Sequence, residues 1–317
     1  MTLSKLAQLA NVSVSVVSKA FSGRADISDA MREHVFEVAR QHGCFQQFYH
    51  VPYDRPVVAL IIPEAISEFY IRYVEELKKG LEKCGYTLLL SISNFDSNLA
   101  SELAKYYTTH NKVNALILLD HITEYPASSD TIIVRQSKIH HGAHNIVCPE
   151  TLLAIEDALL HLRETGRKRI AYVGEPLTKG IEKQLQELMR NVGFSVSDEY
   201  IICSRKRFEE AGRDGVEQLL KLPEMPDAIF GAYSGVTSGI ISALNEHGVA
   251  IPEKTAVISL TSVPKCHPDL DVAYIDSCVP EICEKIVSVI KDRIESKTKL
   301  APCEIHVSSK FHKGETT

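Results

Sequence analysis

The hydrophobic positions near the N-terminus recur every three or four residues, in three short runs. This spacing places apolar side chains on one face of a helix. Ser4, Ser13 and Ser28 precede the three runs, where a hydroxyl can accept from a free amide of the first turn, and Gly23 ends the second run. The pattern predicts three short helices, and the short connector 11–13 is typical of a helix-turn-helix. The apolar positions are Leu6, Ala7, Leu9, Ala10, Val17, Ala20, Phe21, Met31, Val35, Val38 and Ala39.

From Val57 onward, apolar strand-like runs alternate with amphipathic helical stretches. This order predicts parallel α/β layers, and its two consecutive series predict two doubly wound lobes with a cleft between them. Ligands of such sheets bind beyond the carboxyl ends of the strands. The predicted strands are 57–62, 87–92, 115–119, 131–134, 169–173, 200–203, 228–232 and 256–260, and the main predicted helices are 67–83, 99–110, 149–165, 209–220 and 236–247.

The segment 44–56 interrupts both patterns and contains Pro52 and Pro56. Proline also restricts the preceding residue away from helical geometry. We therefore expect a domain boundary, with a helix-turn-helix domain over 1–46, a linker over 47–56 and the α/β region over 57–317. A short helix over about 46–51 is compatible with the sequence.

The amino-acid composition limits the cellular compartment and the binding partners that we expect. The net charge is −6, but residues 1–48 hold five basic against four acidic residues and so carry +1, which leaves −7 on the remainder. The longest apolar runs are far shorter than the roughly 20 residues that span a membrane. The N-terminus lacks a secretory signal pattern, so we expect a cytoplasmic protein with its eight cysteines as free thiols.

Candidate cofactor chemistry is sparse. His140, His141 and His144 stand near Cys148 and are the one dense group of metal-ligating residues, but their segment has loop character. We expect no metal and no cofactor. The sequence also lacks a Walker loop, a GxSxG elbow, an HExxH motif and a glycine fingerprint after the first strand, which argues against an enzyme.

One face of the second helix is small, polar and cationic. Val14, Ser15 and Lys19 lie opposite Val17 and Ala20. Lys19 can donate to guanine, Ser15 can pair with a donor or an acceptor, and Val14 can touch a thymine methyl group. The alternative is that they are solvated residues of a small helical bundle. The candidate phosphate contacts are Ser4, Ser13, Ser18, Ser22, Arg24 and Arg32.

Residues 2–23, TLSKLAQLANVSVSVVSKAFSG, closely resemble the signature of the LacI/GalR (lac repressor) family of transcription regulators, and 27–35 resembles the start of its third helix. By position, the family's base-contacting residues fall on Val14, Ser15 and Lys19. The resemblance continues through 159–174 and 239–252. It implies a helix-turn-helix headpiece followed by a periplasmic-binding-protein-like domain, in which three crossovers link the lobes.

This resemblance also assigns segments to lobes. Lobe one is expected over about 57–148 plus 278–300, and lobe two over about 149–277 plus 301–317. The helix at 278–296 should therefore return to lobe one, and 303–311 should join lobe two. The family's alanine-arginine-x-leucine hinge pattern is absent from the linker, where Phe48 or Tyr53 could replace the leucine wedge in the minor groove.

The family's sugar-recognising positions are mostly replaced here, for example by Tyr233-Ser234, by Thr261-Ser262 and around Cys148-Pro149. The cleft could bind a different small molecule, recognise a sugar through other residues, or be vestigial or protein-facing. Each candidate residue could equally serve lobe packing or surface solvation. The effector-binding candidates are Phe69, Tyr70, Asp96, Arg135, Tyr233, Ser234 and Thr261.

The sequence thus predicts a DNA-binding transcriptional regulator, most simply a repressor that binds a palindromic operator. The family resemblance implies a homodimer, with the first-lobe helices as the expected contact between the protomers. The alternative is a cytosolic small-molecule-binding protein of the same fold with weak or lost DNA binding. The last residues show no heptad repeat, which favours a dimer over a tetramer.

Overall fold

The computed structural model describes residues 1–24, 26–48, 55–110, 113–119, 131–136, 144–178, 180–262, 270–296, 298 and 300–317. The chain divides into two compact units, which we call the helical unit, Met1–Pro56, and the two-lobed unit, Val57–Thr317.

The described residues of the helical unit form four helices around one apolar core. Ser13 and Ser28 cap the second and third helices by accepting from Val16 N at 3.3 Å and Met31 N at 3.2 Å, as predicted. Ser4 does not cap the first helix, because Thr2 accepts from Lys5 N at 3.2 Å and the helix begins one residue before Ser4. The helices are α1 (Leu3–Leu9), α2 (Val14–Phe21), α3 (Asp29–Gln41) and α4 (Phe45–Phe48).

Helix α4 corresponds to the short helix expected over 46–51, but it begins earlier and belongs to the core of the helical unit. The ring centroid of Phe45 lies 5.1 Å from that of Phe36, and the ring centroid of Phe48 lies 5.6 Å from that of Phe21. Phe48, one of the two residues proposed to replace the leucine wedge in the minor groove, therefore packs in the core of the helical unit. The other candidate, Tyr53, lies outside the described residues.

The two-lobed unit alternates strands and helices as the sequence predicted. Its described residues also form four strands beyond the eight predicted ones, namely Asn145–Glu150, Ala273–Asp276, Glu304–Ser308 and Lys310–His312. Its elements are β1 (Val57–Ile62), α5 (Glu68–Lys83), β2 (Thr87–Ile92), α6 (Ser97–Lys105), β3 (Ala115–Leu118), β4 (Ile132–Arg135), β5 (Asn145–Glu150), α7 (Leu152–Glu164), β6 (Ile170–Gly174), α8 (Ile181–Val192), β7 (Ile201–Cys203), α9 (Phe208–Leu219), β8 (Ala228–Gly231), α10 (Ser234–Glu246), β9 (Ala256–Ser262), β10 (Ala273–Asp276), α11 (Val279–Glu295), β11 (Glu304–Ser308) and β12 (Lys310–His312). A π-helical turn, Tyr106–His110, follows α6.

Within the part of the chain that the structure describes, each lobe is built on one six-stranded sheet. Lobe one has the order β11-β5-β4-β3-β1-β2, and lobe two has the equivalent order β12-β10-β9-β8-β6-β7. In lobe one, α5 and α11 cover one face and α6 the other. In lobe two, α7 and α8 cover one face, and α9 and α10 the other. Burial on both faces explains why most central strands read as continuous apolar runs.

The strand order reverses at the same place in both lobes. β1 lies between β2 and β3, and β6 lies between β7 and β8. Adjacent helices leave the sheet on opposite faces at such a switch point, which opens a crevice at the carboxyl ends of the strands.

Two sequence predictions about segment boundaries are wrong. The helix expected over 149–165 begins at Leu152, because Pro149 and Glu150 continue β5 and pair with Val307 and Ser308. The segment 303–311 does not join lobe two as a whole. Its strand β11 runs parallel to β5 in lobe one, where Val307 is buried in the lobe-one core, and lobe two begins again at β12, antiparallel to β10.

The chain therefore passes between the lobes after β5, after β10 and at Ser309. Helix α11 returns to lobe one and packs against α5, as expected. Near the chain's last residue, the buried hydroxyl of Thr316 donates to the carbonyl of Val257 at 2.7 Å and accepts from the amide of Ala273 at 2.9 Å.

The cysteines among the described residues are free thiols, and Cys203 is the exposed one of these. No group of three or more metal-ligating residues occurs in the part of the chain that the structure describes, while His140 and His141 lie outside it. Of the helices described, none is both long and apolar enough to cross a membrane.

Candidate DNA-contacting helix and inter-lobe cleft

Helix α2 presents the predicted polar face to solvent. Val17, Ala20 and Phe21 are buried, whereas the Val14 side chain is 43% exposed and Ser15 is also exposed. The helix forms here because Ser13 caps its first turn and its apolar stripe packs on α1 and α3. Val14, Ser15 and the partly exposed Lys19 therefore share an accessible surface of the helical unit.

Lys19 has a partner within the helical unit. Its Nζ lies 2.7 Å from Oδ2 of Asp26, in the turn between α2 and α3. The hydrogen bond from Lys19 lowers the pKa of the Asp26 carboxyl below its ordinary value. The ammonium group is thus held at the edge of α2 by an exposed ion pair, which contributes little stability and breaks readily.

The six phosphate candidates differ in what they already bind. Ser13 caps α2, and the Ser22 hydroxyl donates to the carbonyl of Lys19 at 3.4 Å. The Arg32 guanidinium donates to the carbonyl of Arg24 at 2.7 Å and so ties α3 to the turn before it. Ser4, Ser18 and Arg24 have exposed side chains. Arg32 therefore has a structural role that the sequence did not indicate.

The two-lobed unit contains a cleft of about 190 Å³ between its lobes. It lies beyond the carboxyl ends of β1, β6, β8 and β9, where the switch points of both sheets meet. The described residues that line it are Glu64, Ser67, Phe69, Tyr70, Phe95, Glu175, Leu177, Thr178, Ile181, Arg207, Ala232, Tyr233 and Thr261.

Four of the seven effector-binding candidates line this cleft, namely Phe69, Tyr70, Tyr233 and Thr261. The other three are not among its described lining residues. Asp96 instead caps α6 by accepting from Asn98 N at 2.9 Å and Leu99 N at 3.2 Å. Arg135, at the end of β4, is 2% exposed, and Ser234 is the first residue of α10.

Arg207 lines the cleft and forms ion pairs with residues of both lobes. Its Nη2 donates to Oε1 and Oε2 of Glu64 at 3.3 and 3.1 Å, and its Nε donates to Oε1 of Glu175 at 3.4 Å. Glu64 follows β1 of lobe one, whereas Glu175 and Arg207 belong to lobe two. Burial opposes the charge of Arg207, but the two glutamates raise the pKa of its guanidinium above the ordinary value.

Glu175 also organises the lobe-two side of the cleft. Its Oε2 accepts from the backbone amide of Phe208 at 3.2 Å, and that amide also lies 3.3 Å from the hydroxyl of Tyr233. Burial, together with the negative charge of Glu175, raises the pKa of the Tyr233 phenol well above its ordinary value. The phenol therefore stays protonated and remains able to donate a hydrogen bond.

Nine of the described lining residues were not candidates from the sequence, and the charged or aromatic ones among them are Glu64, Phe95, Glu175 and Arg207. Glu64 and Glu175 lie two residues and one residue beyond the first strand of their lobe, and the rule that ligands bind at the carboxyl ends of parallel strands could have identified both. Arg207 lies 143 positions from Glu64. No local pattern indicates that contact.

Comparison with known proteins shows which proteins this chain is similar to. A sequence model described as a periplasmic binding protein-like domain matches residues 159–317. The HTH-type transcriptional repressor CytR of Escherichia coli (strain K12) is 24% identical over 329 residues, covering 96% of this chain and 94% of that protein.

Two solved structures share the fold. The transcriptional regulator CelR in complex with cellobiose has a TM-score of 0.71 at 20% identity and covers 100% of both chains. A LacI family transcriptional regulator from Silicibacter pomeroyi has a TM-score of 0.73 at 18% identity, covering 100% of this chain and 99% of its own.

Proposed function

Because the chain belongs to the LacI family of transcription regulators and carries that family's periplasmic binding protein-like domain, we propose that it represses transcription by binding a palindromic operator as a homodimer, under the control of a small molecule in the inter-lobe cleft. Two of the similar proteins, CytR and the ribose operon repressor of Escherichia coli (strain K12), are named as repressors rather than enzymes. A repressor acts on the chromosome, so the proposal includes a cytoplasmic location.

The observation that carries the proposal is the accessible face of α2. The major groove admits an α-helix, whose N-terminal residues contact base edges, and Val14 and Ser15 are exposed at the N-terminal end of α2. Lys19 is long enough to reach a base edge once it leaves Asp26. Contact with DNA would exchange an exposed ion pair for a hydrogen bond to guanine, at little cost in stability.

A homodimer is supported by the outer edge of lobe one. Strand β2 ends the sheet, and its Leu89, Leu90 and Ile92 side chains are 36%, 42% and 39% exposed. An apolar edge strand is a liability unless another chain covers it. We therefore place the dimer contact at β2, with the neighbouring first-lobe helices.

The cleft supports control by a small molecule. Aromatic side chains from both lobes and two buried carboxylates converge there, which is the mixture of apolar walls and few polar groups that ligand sites show. A ligand that contacts both lobes would favour one arrangement of the lobes over another and so shift the population of the DNA-binding form. The structural relative CelR is described as binding cellobiose in this fold.

Selection of bound sequences from random DNA tests the function. We expect enrichment of a palindrome with two half-sites. Lys19→Ala should cost roughly 1–3 kcal/mol of binding free energy and relax the preference at one position of each half-site. Arg24→Ala, a phosphate-side control, should weaken all sequences alike. Failure to enrich any sequence, with or without candidate ligands, would contradict the proposed function, and an equal loss on specific and random DNA would contradict the role of Lys19.

A further inference from the structure

Arg207 joins the two lobes through a pair of carboxylates that have little access to water. The side chains of Glu64 and Glu175 are 8% and 1% exposed, whereas that of Arg207 is 36% exposed. Withdrawing a carboxylate from water is costly unless a cation accompanies it. The two glutamates therefore form a site built for positive charge, and a side chain of the protein fills it.

Aromatic rings complete this site from both lobes. The guanidinium carbon of Arg207 lies 4.4 Å from the ring centroid of Phe208 and 5.4 Å from that of Phe95. Phe95 precedes α6 in lobe one, and Phe208 begins α9 in lobe two. Cations are attracted to ring faces at these distances. Two carboxylates and two rings thus surround one flat cation.

The net charge of the cleft residues restricts which ligands can bind there. Among the lining residues that the structure describes, the charged ones are Glu64, Glu175 and Arg207, so the site holds two negative charges and one positive charge. An anion would approach an excess of negative charge. A neutral ligand that displaced Arg207 would leave two buried carboxylates without a counter-charge, whereas a cation could replace the guanidinium without that penalty.

We propose that the cleft recognises a cationic group, a guanidinium or an ammonium, and that Arg207 is its built-in occupant, which holds the lobes together until a small cation displaces it from Glu64. This inference rests on the proposed function, because it names the ligand class of the same cleft. Its tests measure binding and shape without DNA, so its failure is distinguishable from failure of the repressor assignment.

Chemical rescue provides the test. Arg207→Ala vacates the guanidinium site and should lower the unfolding midpoint, and ethylguanidinium chloride should bind in its place. At ten times its Kd, ethylguanidinium should raise the midpoint of Arg207→Ala by roughly 2–4 °C relative to sodium chloride at equal ionic strength. The matched control is Arg213→Ala, which removes another arginine of α9 whose partner is Glu246, at 2.6 Å on the surface. It should show no such shift.

The response should also depend on Glu64. Adding Glu64→Gln to Arg207→Ala should abolish the ethylguanidinium shift. The inference is overturned if folded Arg207→Ala gives no shift, if Arg213→Ala shifts equally, or if the shift survives Glu64→Gln. If cellobiose but not ethylguanidinium raised the unfolding midpoint, the cleft would bind neutral ligands, and the inference would be overturned as well.

If Arg207→Ala does not fold, a second measurement tests whether Arg207 holds the lobes together. In the otherwise unchanged chain, Glu64→Gln removes the lobe-one partner of Arg207 and should increase the radius of gyration measured by small-angle X-ray scattering. Glu246→Gln, which breaks the surface pair with Arg213, should leave the radius unchanged. Equal radii for the two variants would show that Arg207 does not hold the lobes together.

Discussion

Among single residues, Lys19, which we propose as a base contact, is restrained by a neighbour within the helical unit. Its ion pair with Asp26 positions the ammonium at the rim of α2 and cancels its charge there. Because both side chains are accessible to solvent, the pair restrains Lys19 only weakly. If Lys19 contacts DNA as proposed, Asp26 should lower the affinity of the helical unit for any DNA by neutralising that charge.

We therefore predict that Asp26→Asn strengthens DNA binding, by up to about fivefold at low salt, on specific and random sequences alike. Fluorescence anisotropy titrations at several salt concentrations would measure this. Glu37→Gln changes the net charge equally on α3 without breaking the Lys19 pair, so it separates the pair from the charge. An equal gain from both variants would mean that the pair itself does not matter.

The pH dependence of this effect has a defined sign. Lys19 lowers the pKa of Asp26, so the pair is present above the ordinary aspartate pKa and is lost only as the pH falls through the lowered value. The difference between wild type and Asp26→Asn should hence be constant between about pH 6 and pH 8.

At the scale of elements, α9 and α10 pack more closely than side chains allow. A Cβ atom at Gly212 would overlap the carbonyl oxygen of Val236, and one at Gly239 would overlap the carbonyl oxygen of Glu209. Each helix thus uses a glycine to approach the backbone of the other. The contact positions Phe208 and Arg207, which stand at the start of α9.

Gly212→Ala or Gly239→Ala should therefore lower the free energy of unfolding by roughly 1–3 kcal/mol, because backbone cannot move aside as a side chain can. Thermal or urea unfolding would measure the loss. Asn245→Ala, at an exposed position of α10, is the control and should stay within about 0.5 kcal/mol of wild type. If neither substitution lowered the free energy of unfolding, α9 and α10 would be able to move apart without loss of stability.

Periodicity predicted most elements, and the exceptions have physical causes. Buried central strands such as β1 and β3 appear as continuous apolar runs, and α2 and α3 were found with the serine caps that the structure shows. β11 was not recognised as a lobe-one strand, because an edge strand with one buried residue leaves no such pattern. In the cleft, the aromatic candidates could be identified from the sequence, whereas the contact of Arg207 with Glu64 is visible only in the tertiary fold.

At the scale of the whole molecule, the distribution of charge matters more than its total. The first 48 residues carry +1 and the remainder carries −7. One helical unit therefore gains little from phosphate attraction, and two units bound to one duplex gain the advantage of an effective local concentration.

We accordingly predict that a monomeric variant loses operator binding. Leu90→Glu on β2 should convert the proposed dimer to a monomer in sedimentation velocity experiments. It should also weaken operator binding by roughly a hundredfold, the low end of the gain that linking two binding modules provides. Leu153→Glu, on a lobe-two side chain that is 67% exposed, is the matched control and should leave both properties unchanged. Operator binding by a monomeric Leu90→Glu variant would contradict this requirement.

The position of β11 and β12 has a consequence for how the protein is made. These two strands form one edge of lobe one and one edge of lobe two, and Thr316 then hydrogen-bonds to β9 and β10. During translation, neither sheet can close that edge until residues 304–316 have left the ribosome. A nonsense codon shortly before residue 304 would leave both lobes unfinished at once. Such a product offers exposed strand edges to proteases and to aggregation rather than a working half-molecule.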